Sequence, residues 1–219
     1  MEDARKTNAK AMANAIDKAW QEFLSKKSKP KNEEEKSKLF KKFIEGYNPQ
    51  LSALFSVIEV NAMLSQINLL VTGKKYEEAL KELDKISKLK LEDNTKVMVQ
   101  SMKISCTIAL GDLKKALKMT NDLKKSSEQL AHFHMAQIEA KQGNLEKALE
   151  NINKCLKIKE TFDSLYLKSE ILKVMNNKEW EEVREKAKQL EHETVERIEQ
   201  GAKEHGLKVK KKGEFLEVD

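Results

Sequence analysis

Apolar positions recur every third and fourth residue along most of the chain, and the interruptions fall at Gly, Pro and Asn. Ala11, Ala15, Ile16, Ala19, Trp20 and Phe23 make one stripe and predict a helix over about 3–24. SKKSKPKN (25–32) breaks it. Asn32 before Glu33, Glu34 and Glu35 has the form of a capping box, with acids set against the N-terminal dipole of a short second helix. Leu39, Phe40, Phe43 and Ile44 give that helix its buried face, and Gly46 is expected to stop it. Asn48-Pro49 reads as an N-cap and first-turn proline opening a third helix to about Val71. Its apolar run, LSALFSVIEVNAMLSQINLLV (51–71), is broken by Glu59, Asn61, Gln66 and Asn68, and is expected to be a buried helix of the array rather than a membrane span.

From there the pattern repeats. GKKYEEAL (73–80), GDLKKAL (111–117), GNLEKAL (143–149) and NKEWEEV (177–183) place Ala79, Ala116, Ala148 and Val183 at successive intervals of 37, 32 and 35 residues. Each phrase has one mechanical meaning. A glycine ends one helix in a backbone conformation that tolerates a Cβ poorly, a bulky residue (Tyr76, Leu113, Leu145, Trp180) plugs the turn, and a small residue then lets the next helix approach. The first copy carries one extra residue at its turn, and the last has Asn176-Asn177 in place of glycine. A final stripe of Trp180, Val183, Ala187, Leu190, Thr194 and Ile198 predicts a long helix over about 178–205.

This phrase resembles the turn of the tetratricopeptide repeat family. The likeness is best in the unit from about Gln129, where Met135, Ala136, Gly143, Leu145, Ala148 and Cys155 fall at the family's characteristic positions. In the unit around Gly111, Ile104 and Leu123 stand where small residues are usual. The resemblance implies an all-α fold, a right-handed α-solenoid of antiparallel helix pairs with about ten helices. The likeness spans about residues 55–190, and with the flanking patterns the chain is expected to divide into an N-terminal helical arm or cap (1–48), repeats (49–192) and a helix extension with a basic tail (193–219). Trp20 and Phe23 on such an arm would be placed to imitate a ligand across the groove. The resemblance also implies a scaffold or adaptor whose first helices line a concave groove for a protein segment. Helix position alone assigns Asn61, Asn68, Gln100, Lys103, His134, Gln137, Tyr166 and Lys168 as its polar contacts. Asn68 stands at one position of the family's carboxylate clamp, whereas Leu64, Met102, Leu130 and His134 stand where its other polar groups belong, so no such clamp is expected.

Composition agrees with long helices: seven glycines and two prolines in 219 residues. The net charge is +6, but only Arg5, Arg184 and Arg197 among the 42 basic residues are arginine, which suits solubility better than bidentate phosphate recognition. Lysines concentrate at SKKSKPK and in the tail, where Lys208, Lys210, Lys211 and Lys212 make the alternative reading, a mobile basic segment touching RNA or a ribosome. No aromatic residues interleave with them to stack bases.

Candidate chemistry is sparse. His132 and His134, two apart, lie on different faces of a helix and cannot share a metal. Cys106 and Cys155 sit in apolar stripes without an adjacent base, as packing thiols of a reducing compartment. No phosphate loop, nucleophile elbow, zinc-helix or dinucleotide motif occurs, so no enzyme activity, cofactor or metal is expected, and cytoplasmic residence is the default.

Overall fold

The computed structural model describes residues 2–27, 30–204, 209–212 and 215–218. Ten helices follow in order: α1 (Glu2–Ser25), α2 (Glu33–Tyr47), α3 (Pro49–Thr72), α4 (Tyr76–Ile86), α5 (Asp93–Ala109), α6 (Leu113–Leu123), α7 (Glu128–Lys141), α8 (Leu145–Ile158), α9 (Phe162–Val174) and α10 (Trp180–Glu204). The fold is all-α apart from one small feature. Where the sequence suggests a loose basic tail, β1 (Val209–Lys212) and β2 (Phe215–Val218) pair antiparallel, with Val209 opposite Val218 and Lys212 opposite Phe215. The chain divides into two compact units, Met1–Gln66 and Ile67–Asp219.

In the first unit an aromatic cluster joins α1 to α2. Trp20 meets Phe40 edge-on at 5.1 Å and Phe43 at 5.4 Å, and stacks on Phe23 at 5.7 Å. Trp20 is thus buried in its own hairpin's core, with Phe23 half-buried against it. The N-cap half of the capping box forms, with Asn32 Oδ1 accepting from the Glu35 N–H at 2.8 Å, while Glu35 Oε2 accepts from the N–H of Lys31, one residue before the cap, at 2.6 Å. Gly46 does not end α2. The helix runs on to Tyr47, and Asn48, whose N–H still bonds Ile44 O, turns its Oδ1 to the Gln50 and Leu51 N–H groups and so starts α3.

The buried α3 expected from the sequence is not what the fold contains. Val57, Ile58 and Leu69 are exposed, and only 12% of its most apolar window is buried. Its apolar residues occupy every side of the helix, so neighbours on one side cannot cover them. This helix is long and apolar enough to cross a membrane.

The second unit holds the repeats. Each helix packs on the next from α4 to α10, and α7 also touches both α5 and α9, giving an inner layer of α5, α7 and α9 against an outer layer of α4, α6, α8 and α10. The four turns from α3 to α4, α5 to α6, α7 to α8 and α9 to α10 close identically. Lys74, Gly111, Gly143 and Asn176 each take positive φ (58, 84, 82 and 55°). The following N–H bonds a carbonyl five residues back in every case: Lys75 to Leu70, Asp112 to Thr107, Asn144 to Glu139 and Asn177 to Leu172, at 2.8–3.2 Å. These are Schellman closures. In the first of them Lys74, not Gly73, holds the left-handed position. Tyr76 follows Lys74 by two residues as Leu113 follows Gly111, so the turn has no extra residue and the glycine is simply one place early. In the last turn Lys178 and Glu179 do lengthen the connection before Trp180.

Outer helices share one register. Ala79/Leu83/Ile86, Ala116/Thr120/Leu123 and Ala148/Ile152/Cys155 occupy matching positions, and all nine have no exposed surface. The alanines have no room to grow and the larger members fill the layer, each large apolar side chain contributing about 1.5–3 kcal/mol by burial. In α10 the same register continues as Val183, Ala187 and Leu190. Only Ala187 is fully buried there, because among the described residues α10 packs chiefly on α9, with no further helix of the array beyond it.

Candidate functional site on the inner helices

Counting back from each left-handed residue locates one stripe on the inner layer. Six, ten and thirteen residues before it stand Ser105, Ser101 and Met98 on α5, Gln137, Phe133 and Leu130 on α7, and Glu170, Tyr166 and Asp163 on α9. Steps of three and four keep each set on one face. A cavity of about 500 Å³ opens along this face, and Ser101, Ser105, Leu130, Phe133, Gln137 and Asp163 line it, with Ser127, Gln129, Cys155, Lys159, Thr161 and Ser164 at the ends of α7, α8 and α9.

Behind the stripe His134 is completely buried. Its Nδ1 lies 2.9 Å from Gln137 Oε1 and its Nε2 2.8 Å from Ser101 Oγ. An amide oxygen only accepts, so Nδ1 carries the proton, and Nε2 accepts from the Ser101 hydroxyl. Burial drives the imidazole pKa down to about 4, partly offset by the bond to Gln137, so the ring is neutral at pH 7. This hydrogen-bonded chain ties α5 to α7 through their core.

At the α9 end the stripe becomes acidic. The Tyr166 hydroxyl donates to Glu191 Oε2 at 2.6 Å, and that bond, with desolvation, pushes its pKa up to about 12. Arg184 of α10 pairs with Glu170 and lies over the Tyr166 ring at 5.5 Å. Asp163 stands in the cavity wall without a hydrogen-bond or ion-pair partner among the described residues. Desolvation, then the charge of Glu191, raises its carboxyl above the usual range.

Of the residues expected to line the groove, Gln137 and Tyr166 fall on the stripe. Asn68 falls at the matching place on α3 and is exposed. Asn61 is exposed in the other unit. The remaining four do not lie on the stripe. His134 is core, not surface. Lys103 turns to the outer layer and pairs with Asp84 of α4 at 2.6 Å, and Gln100 reaches Met119 O of α6 at 3.5 Å. Lys168 shares the register of Lys103. Helix membership without helical phase misplaced them. The same phase, counted from the turn, would have found Ser101, Ser105, Phe133 and Asp163.

His132 and His134 do face different neighbours. His132 Nδ1 is 3.2 Å from Asn151 Oδ1 on α8. Cys106 and Cys155 are free, buried thiols whose pKa values burial raises. Among the described residues no group of three or more His, Cys, Asp and Glu could hold a metal ion. Lys210, Lys211 and Lys212 lie on β1, while Lys208 falls outside the described residues.

No family model matches the chain, and no curated protein does. Among solved structures, one titled "MamA RS-1 ArsTM double mutant" is similar over 83% of this chain and 96% of that one, at 17% identity and a TM-score of 0.41. The repeat architecture stated above rests on the four equivalent turns and the shared outer register, independently of that likeness.

Proposed function

We propose that the second unit is a non-enzymatic, tetratricopeptide-like adaptor that binds a protein segment along the inner face of α5, α7 and α9. The observation that carries this reading is the alignment of the cavity with the repeat register: six of the nine stripe positions line it. A repeat array sets side chains from successive inner helices along one extended surface, and such surfaces serve recognition. The lining offers hydroxyls, amides, one aromatic ring, Lys159, Asp163 and the buried Cys155 thiol, whose pKa burial raises, with no hydrogen bond or ion pair among the described residues joining the carboxylate to a nucleophile, which suits binding rather than catalysis.

Affinity capture from native lysate tests it, with Ser105→Arg and Phe133→Glu on the inner face set against Lys118→Glu on the outer face. Loss of one captured protein with both inner changes and its retention with the outer change is the expected result. Equal capture by all four chains, or loss only with Lys118→Glu, refutes the inner-face reading. Removing residues 207–219 should leave capture intact, and a captured partner lost with that tail would move the function to the lysines.

A further inference from the structure

Two observations specify what this inner face takes. The first is electrostatic. Asp163 lines the cavity unpaired, Glu191 adds negative charge beside it, and Glu170 is already engaged by Arg184. Lys159, the one cation in the lining, forms no ion pair with Asp163. Asp163 is solvent-exposed at the cavity wall, and an unpaired carboxylate with a second one near it gains from an arriving cation. The second is the hydrogen-bond polarity imposed from behind. Because His134 Nδ1–H occupies Gln137 Oε1, the Gln137 side-chain N–H groups are left as donors, and because Ser101 gives its hydroxyl proton to His134 Nε2, its oxygen is left as an acceptor. A donor and an acceptor one helix apart match the C=O and N–H of an extended main chain.

We propose that the cavity seats a lysine or arginine side chain of an extended partner segment at Asp163, while Gln137 and Ser101 bond the segment's main chain. The inference rests on the inner-face reading above and adds the chemistry of the ligand. His134 is a positioning residue in it: it touches no ligand but fixes which way the Gln137 amide presents.

The test is a selection of random heptapeptides displayed on phage against the whole chain. Selected sequences should share one Lys or Arg position. For the best synthetic peptide, replacing that arginine by citrulline, or the protein's Asp163→Asn, should each weaken binding about tenfold, and the two changes together little more than either alone. Asp163→Lys should reverse the selected preference to Asp or Glu, and Ser105→Trp, which fills the cavity, should abolish binding. Helical circular dichroism and a urea midpoint followed by circular dichroism, both matching the parent chain, exclude misfolding of a variant. Peptides lost with Ser105→Trp but indifferent to Asp163→Asn overturn the cation seat and leave the inner-face reading standing. Absence of any peptide sensitive to Ser105→Trp overturns both. If the chain's own SKKSKPK segment, displayed alongside, outcompetes every selected clone, the occupant is the chain itself and the assignment to a partner falls.

Discussion

The buried His134 makes stability depend on pH in a calculable way. Its pKa is about 4 in the fold against 6.5 for the ordinary imidazole. Between those values the unfolded chain binds more protons than the folded one, so stability falls as pH drops from about 6.5 to about 4 and is unaffected by this residue outside that window. Each unit of pKa difference is worth about 1.4 kcal/mol, which puts the loss at about 3 kcal/mol. The perturbation is His134→Gln, which removes the titrating group and keeps an amide near Ser101 and Gln137. At pH 7 the variant should be less stable by about 1–3 kcal/mol, the cost of disturbing a buried hydrogen-bonded pair. As pH falls to 4 the parent's advantage should shrink by about 3 kcal/mol, and surface carboxylates cancel in the difference. Two tryptophans, one in each unit, allow a clean readout. In a Trp20→Phe background, Trp180 fluorescence reports urea unfolding of the repeats alone. A parent-minus-variant difference constant to within about 0.5 kcal/mol from pH 7 to 4 would refute the burial argument.

Other expectations follow from the turns and layers. Gly111→Ala and Gly143→Ala should each cost about 1 kcal/mol, while Lys74→Gly and Asn176→Gly should be neutral to stabilising by up to about 1 kcal/mol, because a Cβ is strained at positive φ; thermal midpoints with opposite signs for the two pairs check this. Ala116→Leu and Ala148→Leu should each destabilise by about 1–3 kcal/mol through overpacking, measured by urea midpoint, whereas the exposed Leu117→Ala should change little. Ultraviolet titration of the phenols should show a late component near pH 12 from Tyr166, and Glu191→Gln should move that component to lower pH; an unchanged curve would contradict the Tyr166–Glu191 hydrogen bond.

Local chemistry in this chain is legible and helical phase is less so. The Asn32 cap, Pro49, the alanines and the plugs all act within one turn of their own backbone, and each appears where its residue type places it. Asn176 taking glycine's conformation follows the same logic, since asparagine tolerates it better than most side chains. Lys74 does not: the adjacent Gly73 draws attention, and only the plug at Tyr76 gives the register. Gln100, Lys103 and His134 were misread for a different reason. A polar residue on an inner helix meets ligand, outer layer or core according to rotations of about 100° per residue, so a one-residue error of phase exchanges these roles. The exposure of α3 was hidden because an apolar run reads alike whether neighbours cover it or not.

The four matched closures also make the chain modular. Lys74, Gly111, Gly143 and Asn176 end their helices with the same positive φ and the same hydrogen bonds, and at the first three the next helix starts two residues on. A copy of residues 112–143 inserted after Gly143 would join one such seam to another, carry a second Ala116 notch, and lengthen the array by one step. Growth and loss of whole helix pairs at these seams is therefore a mutational path that spares the core, and the number of pairs, rather than any single side chain, sets the length of the inner face.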